Sequence, residues 1–279
     1  MKLATLLAAV LVAAGLTTVA APGTAGTNAG GLPVLELLMN GNSISVVRGA
    51  RVSGGVNVHS RATSEVSGTP IFIRLNPGVT AGQLVAFFNS KKAADLNNIE
   101  PYGSIVFDAE LGRGKHDVQT TLQAGDYFAF DGAKDDPSQW PHTTFSISEY
   151  DSPAPLPAVQ QWQKAIEFRF RGPATLHTGQ VIRVSNVGWL VHMLVGFHVK
   201  DEAVGRQVVK LLRAGKYSHV AKLALPGGFS LFGPLSHGAV QQFVLKAKPG
   251  WYVEACFMDT QDGREHTQLG MERLIHIVK

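Results

Sequence analysis

Short runs of alternating hydrophobic and polar residues recur along this chain at intervals of about ten residues, and β-branched and aromatic residues dominate them. Apolar residues at helical spacing predict one helix over 203–212, continuing weakly toward Tyr217. Short strands with glycine and proline turns between them predict an all-β sandwich or barrel. In the second half, the predicted strands are 166–171, 180–185, 192–199, 241–245, 251–257 and 272–278.

The chain divides into two halves that look related. A proline-dense stretch over 151–157 has no helical or strand period and predicts a semi-rigid linker. We therefore predict domains at 33–150 and 161–279, joined by a linker at 151–160. Three pairs of segments match at offsets of 123 to 125 residues and indicate an internal duplication. The matches are 125–131 with 250–256, 142–147 with 266–271, and 82–88 with 205–211.

The N-terminal segment predicts export. Met1-Lys2 is followed by an apolar run over 3–16 and then by small residues, which is typical of a secretory signal peptide; we place it at 1–26. The apolar run is too short to span a bilayer comfortably. The sequence thus predicts a secreted or periplasmic protein with no membrane insertion after the signal is cleaved.

Composition narrows the class of protein. Hydrophobic residues make up 45% of the chain, charged residues make up 16%, and 30 glycines favour a turn-rich β architecture. The net charge of +4 comes without a recognisable nucleic-acid-binding motif or a basic cluster. We therefore expect no nucleic-acid partner.

The only cysteine, Cys256, is the most informative residue for chemistry. In an exported protein a lone cysteine is buried, paired between chains, reactive or metal-bound. His266 and Met271 follow it on one segment. With a second histidine, these side chains complete the ligand set of a mononuclear copper centre, a trigonal His2Cys plane with a weak axial methionine.

The stretch over 184–192, Val-Ser-Asn-Val-Gly-Trp-Leu-Val-His, and the later cysteine, histidine and methionine together resemble the cupredoxins, the superfamily of plastocyanin and azurin. The resemblance spans about residues 165–279 and is fainter in the first half. It implies His192 as the first copper ligand and Cys256, His266 and Met271 as the others. It also implies a redox partner protein. Nine residues separate Cys256 from His266, more than in plastocyanins and closer to copper nitrite reductases.

The resemblance implies two Greek-key cupredoxin-like β-sandwiches, each with one short helix insertion. In the matched register Cys256 aligns with Asp131, Met271 with Ile147, and His192 falls near Pro70. We therefore expect the first half to be a degenerate copy that binds no copper.

Two further features support the ligand segments. Asn186 is the predicted group that ties the His192 loop to the cysteine loop. Asp262-Gly263 predicts a tight turn that folds the long loop back, so that His266 meets Cys256.

The preferred function is one-electron transfer by an exported type 1 copper protein that is not an enzyme. The chain has no His-x-His pairs for a trinuclear copper cluster and no motif for a second copper. Two alternatives stay open: a metal-free secreted tandem β-sandwich that binds a partner, with Cys256 merely buried, and an envelope copper carrier without redox turnover. A weak surface copper or zinc site at His59, His116 and His142 is a minor further possibility.

Overall fold

The structure is a computed structural model that describes residues 31–49 and 51–279. The predicted signal peptide at 1–26 lies outside the described residues. Within the described part of the chain, no helix has the length and apolar character needed to cross a bilayer.

In the described residues before the predicted linker, the chain forms eight strands and one α-helix. The helix α1 (Ala81–Phe88) begins at Thr80, whose side chain accepts a hydrogen bond from the Gln83 amide, while the Gln83 side chain accepts one from the Thr80 amide. Two 3-10 turns, Lys91–Ala94 and Leu96–Ile99, follow it. The strands are β1 (Val34–Met39), β2 (Ile44–Gly49), β3 (Gly54–Ala62), β4 (Pro70–Leu75), β5 (Gly103–Asp108), β6 (Gly114–Leu122), β7 (Gly125–Asp131) and β8 (His142–Ile147).

The second half contains nine strands and two α-helices. The helix α2 (Glu202–Arg213) matches the predicted helix, and a separate short helix, α3 (Tyr217–Leu223), follows it. Asp201 caps α2 by accepting a hydrogen bond from the Val204 amide. The strands are β9 (Gln161–Ile166), β10 (Arg169–Arg171), β11 (Thr175–His177), β12 (Val181–Asn186), β13 (His192–Val199), β14 (Ala224–Leu235), β15 (Val240–Val244), β16 (Gly250–Ala255) and β17 (Glu272–Val278).

Three sheets organise these strands. The longest has the order β10-β9-β12-β15-β6-β3-β1-β2, so it runs from the second half into the first through the pairing of β15 with β6. The strands β5-β4-β7-β8 form a second sheet, and β11-β17-β16-β13-β14 form a third. The predicted all-β fold is confirmed.

Two hydrophobic cores fill the spaces between the sheets. One core lies within the first half, between its part of the long sheet and the four-stranded sheet, and includes Leu37, Val58, Phe72 and Phe107. The other joins the second-half strands to residues of the first half. The halves are thus two β-sandwiches that share one continuous sheet. The domain boundaries at 150 and 161 stay a prediction.

The structure supports part of the predicted duplication. Tyr127 and Tyr252 each follow a glycine at the start of a strand, and each hydroxyl donates to the carbonyl four residues earlier, of Gln123 and Lys248 respectively. Equivalent positions of the two halves therefore make the same corner contact.

The match of 142–147 with 266–271 is wrong. In the first half, β8 pairs with β7 so that His142 faces Phe130. In the second half, β17 pairs with β16 so that Glu272 faces Ala255. The strand equivalent to β8 is therefore β17, because the second half inserts a long loop between its last two strands.

Candidate metal centre

Three of the four candidate ligands lie at the ends of three neighbouring strands, and His266 lies in the loop between β16 and β17. His192 opens β13, Cys256 directly follows β16, and Met271 directly precedes β17. The Cys256 amide donates to the Met271 carbonyl (3.1 Å) and the Met271 amide donates to the His266 carbonyl (2.9 Å). The side chains of all four residues are fully or almost fully buried.

The loop between β16 and β17 folds back on itself. The His266 amide donates to the Met258 carbonyl (2.8 Å) and the Thr260 amide donates to the Arg264 carbonyl (2.8 Å). Gly263 sits at the tip with φ +78°, a conformation that favours glycine. The predicted Asp262-Gly263 turn is therefore present, and it brings His266 over the cysteine.

Three ligand atoms converge in the buried space that these loops enclose. The Nδ1 atoms of His192 and His266 are 3.1 Å apart. The Cys256 Sγ lies 3.4 Å from Nδ1 of His266 and 3.9 Å from Nδ1 of His192. Among the residues that the structure describes, these three form the one candidate metal group of histidine, cysteine and carboxylate side chains.

The separations fit a single bound ion. Metal–nitrogen and metal–sulfur bonds of about 2.0 and 2.3 Å allow two ligands of one ion to lie up to about 4.3 Å apart. All three separations fall within that limit. A donor set of two imidazoles and one thiolate suits copper, so the cluster is a site that can bind copper.

Burial sets the protonation of the metal-free cluster. Desolvation, with a smaller contribution from His266, lowers the pKa of His192 to about 3, and desolvation lowers the pKa of His266 to about 4. Burial raises the pKa of the Cys256 thiol to about 12 although the Met193 and Met258 backbones oppose this shift. At neutral pH the imidazoles are in their ligand form, and a cation that binds must displace the thiol proton.

The outer nitrogens of the two imidazoles give a second sign of fit. Nε2 of His192 and Nε2 of His266 are buried without a hydrogen-bond partner among the described residues. When a metal takes Nδ1, Nε2 carries the hydrogen and orients the ring through a nearby acceptor. The carboxylate Oε1 of Glu167 lies 3.9 Å from Nε2 of His192 and can take that role after a small rotation.

The hairpin between β9 and β10 covers both imidazoles. Its tip consists of Glu167 and Phe168. Glu167 accepts from the amides of Trp189 and Leu190, which precede His192 on the chain. The Phe168 ring stands edge-on to the His266 ring with centroids 5.3 Å apart, and Phe168 has φ +54°, a strained value for a phenylalanine.

Asn186 does not tie the two ligand loops together in the way the sequence predicted. Its Nδ2 donates to the carbonyls of Leu190 and Leu235 (2.7 Å each), and its Oδ1 accepts from the Gly188 amide (2.9 Å). Two of these bonds lie within the loop before His192, and the third attaches this loop to β14.

Asn97, from the first half of the chain, makes the connection instead. Its Oδ1 accepts from the Val191 amide (2.8 Å), and its Nδ2 donates to the Asp259 carbonyl (3.3 Å). The sequence held no signal for this contact, because the partners lie 94 and 162 residues away.

The first half has a buried carboxylate where the second half has the thiol. Asp131 accepts from the amides of Gly68 (3.2 Å) and Thr69 (3.0 Å) and from the Ser67 hydroxyl. Pro70 opens β4 as His192 opens β13. Backbone donors thus hold Asp131 in place.

The three first-half histidines do not form a metal group in the described part of the chain. His59 pairs with Asp117 at 3.0 Å, whereas His116 lies near the Arg113 carbonyl and His142 near the Trp140 carbonyl.

Comparisons with known proteins describe what the chain resembles. No family model and no curated protein matches the sequence. Similar solved structures include auracyanin B, at 16% identity over 44% of this chain and 92% of that chain, with a TM-score of 0.27. Auracyanin from Roseiflexus castenholzii is 17% identical over 42% of this chain and 95% of that one, with a TM-score of 0.25.

The Cu-containing nitrite reductase from Thermus scotoductus aligns with more of the chain. It is 11% identical over 88% of this chain and 68% of the reductase, with a TM-score of 0.26. The similar structures include cupredoxins, in line with the resemblance seen in the sequence.

Proposed function

We propose that this protein is an exported type 1 copper protein that transfers single electrons, with His192, Cys256, His266 and Met271 as its ligands. The observation that supports it is the convergence of two Nδ1 atoms and one Sγ within 3.1–3.9 Å in a fully buried space. Two neutral imidazoles, a thiolate and a thioether are the donors that a blue copper site uses.

Hydrogen bonds and burial hold the candidate ligands in place in the metal-free protein. The Met193 amide donates to the Cys256 Sγ (3.4 Å), a bond that stabilises negative charge on sulfur. Met271 is fully buried, and its backbone is hydrogen-bonded to Cys256 and His266, so it would be the residue that offers a thioether to the ion. Bound copper would supply a one-electron couple between Cu(I) and Cu(II).

The closed site favours electron transfer over catalysis. A catalytic metal keeps an open coordination position for water or substrate. Here the candidate ligands are buried, and the Glu167–Phe168 hairpin covers the imidazoles. These residues would shield a bound ion from substrate and would leave electron exchange with a partner across the hairpin as its chemistry.

A face for the redox partner lies next to the site. Trp189, three residues before His192, is 82% exposed, and its ring stacks on His237 with centroids 4.9 Å apart. An exposed aromatic side chain at this position supplies apolar contact area for a partner protein. We propose that the partner docks over Trp189 and the hairpin.

A spectroelectrochemical titration of the mature protein with one equivalent of copper tests this function. We expect a single reversible one-electron wave and no release of copper to a chelator during repeated cycles. A protein that binds copper but cannot be cycled would be a carrier without redox turnover. A protein that takes up no copper would be a metal-free binding module.

A further inference from the structure

The 3-10 segment of the first half, Leu96–Ile99, lies against both ligand loops of the second half. Asn97 reaches the loop before His192 with one side-chain atom and the loop after Cys256 with the other. One amide group thus bridges the two segments that carry the candidate ligands.

Both contact points are close to candidate ligands. Val191, whose amide donates to Asn97 at 2.8 Å, directly precedes His192 and is buried. Asp259, whose carbonyl accepts from Asn97 at 3.3 Å, is the third residue after Cys256 and forms a bridge with Glu265, next to His266. A shift of Asn97 therefore acts on all three converging residues.

Asn97 is itself held firmly. Asp95 Oδ1 accepts from the Asn97 amide (2.9 Å) and from its Nδ2 (2.8 Å), which fixes the side-chain orientation. Ile99, at the end of the same turn, is buried in the core that joins the halves. A side chain anchored in this way transmits the position of the first half to the ligand loops.

We propose that Asn97 is a positioning residue for the metal centre and that the first half of the chain holds the ligand loops of the second half in place. This inference rests on the proposed function, since it assigns a purpose to the first half within the same copper site. The first half thereby contributes to a centre for which it supplies no ligand.

The test compares Asn97→Ala with Asn98→Ala. Asn98 is the matched control, because its Nδ2 donates to the Lys92 carbonyl (3.0 Å) in the preceding 3-10 turn of the first half. In the metal-free protein we expect amide hydrogen exchange at Val191 to be at least about ten-fold faster in Asn97→Ala than in wild type and unchanged in Asn98→Ala.

The second readout uses the copper-loaded variants. We expect Asn97→Ala to lower copper affinity by about 10- to 100-fold and to shift the visible absorption band, with no change in Asn98→Ala. Affinity and band equal to wild type in Asn97→Ala would overturn the proposal, even with faster exchange at Val191.

A further variant separates the two contacts and serves if Asn97→Ala does not fold. Asn97→Asp keeps an oxygen for the Val191 amide and loses both bonds that Nδ2 donates, to the Asp259 carbonyl and to Asp95 Oδ1. We expect the Val191 amide to stay protected from hydrogen exchange while the affinity for copper falls. Unchanged affinity would refute the bridging role.

The exchange measurement also separates two kinds of failure. If the wild-type protein binds no copper, the proposed function fails, yet faster exchange at Val191 in Asn97→Ala still supports the bridge. If copper binds and neither the copper affinity nor the absorption band responds to Asn97→Ala, the positioning role of Asn97 fails alone, whatever the exchange rate at Val191.

Discussion

At the scale of single residues, the candidate centre depends on polar atoms that lack ordinary partners. A buried polar atom without a hydrogen bond costs about 1–3 kcal/mol, and both Nε2 atoms of the imidazole pair are in this state. Glu167, whose Oε1 lies 3.9 Å from Nε2 of His192, is the nearest charged group that can satisfy one of them. Partial burial opposes ionisation of Glu167, but backbone hydrogen bonds outweigh it and lower its pKa, so it is a carboxylate at neutral pH.

We predict that Glu167→Gln raises the reduction potential of the copper-loaded protein and weakens copper binding by about 10-fold or more. The carboxylate stabilises the higher positive charge of Cu(II), so its neutralisation favours Cu(I). Voltammetry and chelator competition measure both effects. The exposed Glu149→Gln is the control, and a potential that moves equally in the two variants would refute the role of Glu167.

The residues around the candidate centre differ in whether the sequence could predict their place in it. His192, Cys256 and His266 were predicted to meet, and the structure brings them together, because each lies on a local strand-and-loop pattern. Assignment of all four candidates as copper ligands stays a prediction. Asn97 and Glu167 had no local signal, since their contacts with the site form only when distant segments pack.

At the scale of elements, the loop from β16 to β17 behaves as a small hairpin that presents His266. Backbone bonds close it at Thr260 and Arg264 and again at Met258 and His266. The glycine at its tip has φ +78° and open space around its missing Cβ. The cost of a side chain there is therefore conformational strain and not a clash.

We predict that Gly263→Ala destabilises the fold by about 1–2 kcal/mol, the cost of a left-handed backbone for alanine, and also weakens copper binding. Gly179→Ala is the matched control, because Gly179 has φ +82°, equally open surroundings and no contact with the ligand loop. Urea unfolding and chelator competition report the two quantities. Equal copper affinity in both variants would show that the turn does not position His266.

Elements differ in how well the sequence predicts them. Runs rich in β-branched and aromatic residues predicted β12, β13, β16 and β17 well, although β12 alternates between buried and half-buried positions while β13 is buried on both faces. The long strand β14 was missed, since Pro226, Gly227, Gly228 and Pro234 interrupt its pattern. Its pairing with β13 accommodates them through irregular register.

At the scale of the whole molecule, the two halves share a sheet, and the carboxyl group of Asp108 is buried at the interface between them. Asp108, at the end of β5, donates its amide to Gln241 Oε1 of β15 (2.8 Å). Its carboxyl group packs against Gly233 of β14, where it leaves no room for a Cβ. Burial, with a smaller contribution from Glu110, raises the pKa of Asp108 well above its usual value.

This raised pKa predicts how stability depends on pH. A carboxyl group that holds its proton more tightly when folded stabilises the protein fully below its unfolded pKa of about 3.9 and loses that contribution as pH rises toward the folded value. We predict that Asp108→Asn raises stability at pH 8 by about 1 kcal/mol or more and flattens its decline above pH 4. Thermal unfolding between pH 4 and 8 measures this. Parallel curves for Asp108→Asn and wild type would contradict it, with the exposed Asp151→Asn as control.

The central claim, a copper site built on one thiolate, is tested most directly by visible absorption and EPR spectra after addition of one equivalent of Cu(II). We predict an intense thiolate-to-copper band with narrow copper hyperfine splitting in the wild-type protein. Cys256→Ala removes the one sulfur that can form a thiolate, and the band should vanish while the fold persists. A wild-type spectrum without that band, or one that survives in Cys256→Ala, would contradict the account.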